Sequence, residues 1–309
     1  MKVTVILCTY NRCENLKKAL DSIVRSTMPE SVEWEVLVVD NNSNDKTKDV
    51  AKDFIQRYPG RLRYLFEKQP GKSYALNAGI EESDSDVLAF MDDDVAVEPG
   101  WLAKLTSVFE EGSCAGAGGP IFPDPNFKRP AWLSISGKHL LAPFALFNPR
   151  PDAGELAEPP WGTNMAFRKA VFEKYGGFRT DLGPSPGSEI RNEDTEFGRR
   201  LLAAGEKLMY VPSAVVCHPV PAERLQKQYH LAWWYAKGRG DVRELGAPAD
   251  PIRIMGIPSH LFPRAVMLTL RWGLAVSSSR RFAFKLNLWT TLGAMTECFE
   301  ESRGRAQRS

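Results

Sequence analysis

The sequence predicts an α/β protein, a doubly wound and mostly parallel sheet flanked by helices, followed by a helical C-terminal extension. Three observations predict it. Through the first third of the chain, short β-branched apolar runs alternate with longer segments whose apolar residues recur at helical spacing. A Pro- and Gly-rich stretch at 120–160 then interrupts that rhythm. Beyond about residue 220 the strand signals stop and amphipathic helical patterns take over.

In order, residues 3–7 form an apolar run, and 11–26 place Leu16, Leu20, Ile23 and Val24 on one helical face. Residues 34–39 repeat the strand signal before a polar loop and a helix over 45–57. Residues 62–66 read as a third strand, 74–80 as a helix and 87–91 as a fourth strand. Pro99 sits where a first-turn proline suits a helix over 99–111. Trp132, Leu133, Phe144 and Phe147 lie in the irregular stretch, which predicts a packed insertion and not a free linker. A short strand at 165–167 and a helix at 168–175 follow. A Gly-, Pro- and Ser-rich loop (178–192) leads into a helix over 193–204 that ends at Gly205. Two short strands, 208–211 and 214–217, precede the helical tail at 222–240 and 262–300. There is no internal repeat.

Composition bounds the function. The chain has 309 residues, 43% hydrophobic and 25% charged, which excludes a disordered, collagen-like or disulfide-dense protein. A formal net charge of +2 excludes nucleic acid as a partner held by bulk charge. The balance is uneven, with −5 over 1–220 and +7 over 221–309. Five scattered cysteines with no C-x-x-C pair suit reduced thiols in a cytoplasmic protein. The apolar part of the N-terminus is too short for a signal peptide, and no apolar run reaches membrane-spanning length.

Doubly wound sheets bind ligands at the C-terminal ends of their strands, so the polar residues there carry the functional reading. Asp92, Asp93 and Asp94 end the fourth strand. Three adjacent carboxylates repel one another unless a cation or solvent compensates them. In an extended segment Asp92 and Asp94 share a side, an arrangement suited to Mg²⁺ or Mn²⁺ carrying a substrate phosphate. Asn192-Glu193-Asp194 opens a helix; acids there suit the macrodipole, and a carboxylate there can also serve as general base on a hydroxyl. Asp40 follows the second strand and can accept hydrogen bonds from a base or ribose, while its Asn and Ser neighbours also build turns. Pro70-Gly71-Lys72-Ser73 imitates the end of a phosphate loop, but Phe66 stands where the first glycine belongs. His218 ends a strand, and Trp161, Gly162, Thr163 and Asn164 can offer a stacking ring and polar groups to a sugar.

In this order the motifs resemble family 2 glycosyltransferases of the GT-A fold. The likeness runs through residues 5–12, 38–43, 71–79, 92–94, 162–168, 176–178 and 193–194, covering about 1–220. It implies a transferase domain over 1–220, with a nucleotide-sugar half (about 1–119) and an acceptor half (about 120–220), and 221–309 as a basic amphipathic extension. It also implies a nucleotide diphosphate sugar as donor, UDP-sugars first, with Thr9, Tyr10, Asn11 and Asp40 around base and ribose. Lys72, Asp92 and Asp93 line the donor; Asp94, with Asp92 and His218, would hold Mn²⁺ or Mg²⁺ against the diphosphate. Asp194 matches the family's base, with Glu193 its neighbour, and the loop at 183–191 is expected to act as a lid. The implied reaction is an inverting transfer to a carbohydrate or glycolipid acceptor, in polysaccharide, lipid-linked glycan or other glycoconjugate synthesis.

The basic and aromatic residues of 261–300 suit the inner face of a membrane, a second subunit or the protein's own core. Two other classes compete with the transferase. Asp92-x-Asp94 after a strand resembles the nucleophile of haloacid-dehalogenase-like phosphatases, though Ala96 stands where that pattern wants Thr or Val. A catalytically silent nucleotide-sugar-binding or assembly protein would not need the Asp92, Asp94 and Asp194 set.

Overall fold

The apolar runs become strands buried on both faces. In a computed structural model, which describes residues 1–112, 114–134 and 137–306, the chain opens with β1 (Lys2–Thr9), α1 (Cys13–Ile23), β2 (Glu33–Asp40) and α2 (Thr47–Arg57). Next come β3 (Leu62–Phe66), α3 (Lys72–Glu82), β4 (Val87–Asp92) and the two-residue β5 (Ala96–Val97). Val5, Ile6 and Leu7 are all fully buried, so β1 shows no alternation; helices cover both faces of a parallel sheet and leave no solvent side.

The helix expected over 99–111 is two pieces, α4 (Trp101–Thr106) and α5 (Val108–Glu111). The Thr106 hydroxyl donates to the Leu102 carbonyl (2.8 Å) and that of Ser107 to Lys104 (2.9 Å), back-bonds that compete with the helical ladder. The chain continues through β6 (Gly116–Gly118), β7 (Ile121–Pro123), α6 (Lys138–Leu141), β8 (Gly154–Glu155), β9 (Met165–Arg168) and α7 (Lys169–Tyr175). It then forms α8 (Glu193–Ala203), β10 (Leu208–Tyr210), β11 (Val216–His218) and α9 (Lys227–Leu245). The hairpin β12 (Arg253–Ile254) and β13 (Ile257–Pro258) precedes α10 (Leu261–Leu274) and α11 (Ser278–Ala306).

Eight strands form the main sheet in the order β3-β2-β1-β4-β9-β6-β10-β8. β1 pairs parallel with both β2 and β4, and β9 runs antiparallel between β4 and β6. Successive strands move outward from β1 to β3, then return to the other side of β1 with β4, so the order reverses there. Such a reversal opens a crevice at the strands' C-terminal ends. The register sets Thr9 beside Asp40 and Cys8 beside Asp92 at that edge.

The chain divides into two compact units. The first takes Met1–Pro125, Ala145–Thr180 and Glu193–Pro219; the second takes Asn126–Phe144, Asp181–Asn192 and Val220–Ser309. The 183–191 loop therefore groups with the helical unit. Trp132 packs against that unit's core of Leu231, Trp233, Trp234, Phe282 and Leu286. There α9 and α11 approach closely at two glycines: a Cβ on Gly238 would lie 2.0 Å from the Thr290 carbonyl oxygen, and one on Gly293 2.0 Å from that of Tyr235. Glu297 is buried between the two helices and accepts from Arg239 Nε (2.7 Å) and Arg243 Nε.

Candidate active site

The β4 strand ends at Asp92, and Asp93 and Asp94 already belong to the following turn. The strand alternation expected for the three carboxylates therefore does not hold. Asp93 and Asp94 both face Arg12, whose Nη1 lies 3.2 Å from Asp93 Oδ1 and 3.6 Å from Asp94 Oδ2. Asp93 is buried and also accepts from the Thr9 hydroxyl (2.7 Å). Burial, helped by Asp94 and Asp92, pushes its carboxyl up to about 6 despite Arg12 and Thr9. Asp94 instead directs Oδ1 toward His218 Nε2, 3.6 Å away at the end of β11.

Asp92 is held from two sides. Lys72 Nζ lies 2.7 Å from Oδ1, and the Thr163 hydroxyl donates to Oδ2 at 2.7 Å. Burial alone would raise the Asp92 carboxyl, but Lys72 outweighs it and holds the group well below the usual carboxylate range. Lys72 also sits 3.6 Å from buried Glu193. Burial works against its charge, yet Asp92, Glu193 and Asp194 together drive the ammonium well above its ordinary value. Lys72 reaches this place because Asn41 clamps the preceding loop: its Oδ1 accepts from Gly71 N (2.7 Å) and its Nδ2 donates to Gln69 O (2.7 Å). Gly71 has φ 136°, which a side chain would strain.

At the start of α8, Asp194 Oδ2 accepts from the Gly162 amide at 2.6 Å, while Oδ1 accepts from Thr195 N at 2.7 Å. Residues 162 and 163 thus tie two carboxylates together, Asp194 through a backbone amide and Asp92 through a hydroxyl. Asn192, expected to cap this helix, instead donates to Asp241 (3.0 Å) and Glu244 (2.6 Å) of α9.

Several residues assigned to ligand contacts have structural partners. Asp40 is 1% exposed, and its oxygens accept from Ser43 N (2.9 Å) and the Tyr64 hydroxyl (2.8 Å). Asn11, in a left-handed conformation (φ 51°), clasps the loop after β2 through Ser43 and Asn44. Asn164 is fully buried, accepting from Trp101 Nε1 (2.8 Å) and donating to the Pro120 and Ala214 carbonyls, so it is a clamp between strand ends. Trp161 is half-buried against Phe147, with ring centres 5.5 Å apart. Tyr10, by contrast, keeps 42% of its surface exposed. Arg12 was not among the site residues expected from sequence, although it closes the 5–12 motif three positions past a strand end.

Among the described residues no three His, Cys, Asp or Glu side chains converge as a closed metal centre. Asp94 and His218 supply one carboxylate and one imidazole. Hard divalent ions are commonly held by one or two protein donors, with phosphate oxygens and waters completing the shell. This pair fits such an ion.

The fold is that of the GT-A glycosyltransferases. Over 99% of the chain it superposes on 75% of a mannosyltransferase from Pyrobaculum calidifontis, solved with GDP-Man and Mn²⁺, at a TM-score of 0.57 and 20% identity. Residues 4–176, more than half of the chain, match glycosyl transferase family 2, and the chain belongs to this family. It is 29% identical to the glycosyltransferase AglE of Haloferax volcanii over 78% of this chain and 73% of that protein. It is also 27% identical to the succinoglycan biosynthesis protein ExoM of Rhizobium meliloti over 82% of this chain and 78% of that protein. A glucosyl-dolichyl phosphate glucuronosyltransferase of Haloferax volcanii shares 28% identity over 71% of this chain and 69% of that protein. The family match decides against the haloacid-dehalogenase reading of Asp92-x-Asp94. No described helix is long and apolar enough to cross a membrane.

Proposed function

We propose that the chain transfers a sugar, with inversion, from a nucleoside diphosphate sugar to an acceptor hydroxyl in polysaccharide or lipid-linked glycan synthesis. The observation that carries this reading is the 162–163 tie, which fixes Asp194 beside the donor-side carboxylate Asp92. Tyr10 offers its exposed ring to the base, and Lys72 keeps Asp92 ionised at the ribose side. Asp94 and His218 would hold Mn²⁺ or Mg²⁺. That ion would supply positive charge to offset the charge developing on the leaving diphosphate.

Asp194 keeps lone pairs beyond the Gly162 and Thr195 bonds and takes the acceptor proton. The acceptor oxygen forms its bond to the anomeric carbon from the face opposite the diphosphate, and the carbon–oxygen bond to the β-phosphate breaks. One displacement inverts the configuration and releases the nucleoside diphosphate. Glu193 balances Lys72 and stays off the proton path. The names of the succinoglycan and dolichyl-phosphate relatives support a growing polysaccharide or a lipid-linked sugar as acceptor.

The test is thermal stabilisation by UDP, GDP, dTDP and ADP, each with and without Mn²⁺. We expect metal-dependent stabilisation by one nucleotide, UDP first, that Asp94→Asn removes. No response to any of the four would overturn the nucleotide-sugar donor reading.

A further inference from the structure

We propose that α10 lies in the interface of an anionic lipid bilayer, with its outer face as the docking surface. The helix carries two apolar stripes. Leu261 and Leu268 are buried. Val266, Met267, Leu270 and Leu274 recur at helical spacing on a second, open stripe, and Val276 continues it just past the helix end. Leu270 is 60% exposed, Leu274 81%, and Val276 fully so. A globular protein leaves scattered apolar residues open, but a periodic stripe of this kind marks a surface with an occupant.

Charge selects the occupant. Arg264 and Arg271 are exposed on the same helix, and Arg280 and Arg281 are exposed just beyond it. Residues 251–296 contain six Lys and Arg and no Asp or Glu. Asp250, just ahead of this stretch, is taken up by the turn, accepting from Ile252 N (2.9 Å), His260 N (3.0 Å) and Ser259 Oγ (3.1 Å). A second copy docking face to face would bring arginine against arginine with no acid from this stretch to pair them. An anionic bilayer offers both hydrocarbon for the stripe and phosphate for the guanidinium groups. At 14 residues α10 is about 21 Å long, which suits lying in the interface and not crossing it.

This proposal rests on the helical unit alone and stands or falls apart from the transferase reading. Full-length protein is floated with phosphatidylcholine vesicles and with vesicles containing phosphatidylglycerol, at low and high salt. We expect binding to the anionic vesicles that salt weakens. Arg264→Gln/Arg271→Gln should lower the partition coefficient by about twenty-fivefold, each arginine being worth about fivefold at a charged surface. Leu270→Ser/Leu274→Ser should lower it by at least about tenfold through lost apolar burial. All four positions are exposed, and an unchanged circular dichroism spectrum and melting temperature verify folding. The proposal is overturned by three results: no binding to anionic vesicles, equal binding by both variants and wild type, or light scattering showing a wild-type dimer that the leucine variant makes monomeric.

Discussion

In the sheet-bearing unit, acids at the strand ends and the start of α8 meet close polar partners: Asp92 meets Lys72 and Thr163, Asp93 meets Arg12 and Thr9, and Glu193 shares Lys72. In the helical unit the buried acid, Glu297, lies between two arginines of α9, and the whole stretch 251–296 has no acid at all. The first arrangement needs backbone held within a fraction of an ångström, which hydrogen-bonded strand ends provide. The second needs two helices to pack, and glycine contacts provide that. Charge clustered at the sheet edge is held by single short contacts, while the basic charge of 251–296 is spread along helices with no acid in that stretch.

Asp194→Asn keeps the shape and hydrogen-bond reach of the side chain but loses the base. We expect kcat to fall by about a hundredfold to ten-thousandfold with nucleotide-induced thermal stabilisation intact. Equal loss of both in a single-turnover and binding series would remove Asp194 from the proton path.

Lys72→Met leaves Asp92 and Glu193 facing each other without their cation. Breaking such a pair costs about 3 kcal/mol, the lower end of the range because both Lys72 and Asp92 keep some solvent contact. A urea midpoint that does not move would mean the pair is solvated and the sheet edge is looser than these distances imply. On the helical side, Gly293→Ala places a methyl against the Tyr235 carbonyl and should cost about 2 kcal/mol by forcing α9 and α11 apart. Calorimetry that shows the same melting temperature would put the helical unit's stability elsewhere than that crossing.

The smallest effect sharpens the contrast by pH. Burial, then the nearby Lys138 and His230, lowers His139 to about 4. Its ring stacks edge-on against Trp234, with centres 5.0 Å apart. A histidine with a depressed folded value contributes stability above its ordinary value of about 6.5. That contribution is lost as pH falls toward 4, because the unfolded chain then takes a proton the folded one refuses. We expect the melting temperature to drop over that window more steeply in wild type than in His139→Gln. Parallel profiles would assign the acid sensitivity to another group.

The strands were legible because a parallel sheet buries both faces, so β1, β2 and β4 read as unbroken apolar runs. Asp92–Asp94 were legible because three adjacent carboxylates make little sense at a strand end without a cation. The turn that begins after Asp92 was not, since one residue of strand length decides whether Asp93 faces away from Asp94 or shares Arg12 with it. Asn41, Asn164 and Arg12 lie inside the recognised motifs, but nothing local says which groups they hold. Asn164 meets Trp101, Pro120 and Ala214, partners 63, 44 and 50 positions away.

What the sequence determined by itself was the order of elements, the family and the cast of carboxylates, because periodicity and short motifs are local in the chain. Packing across the fold set the partners of each carboxylate. It pins Asp92 with Lys72, buries Asp93, turns Asp94 toward His218 and ties Asp194 to Gly162. Those pairings join residues as much as 124 positions apart, as for Asp94 and His218 at 3.6 Å. Electrostatics at that range is set by packing, and no local pattern encodes it.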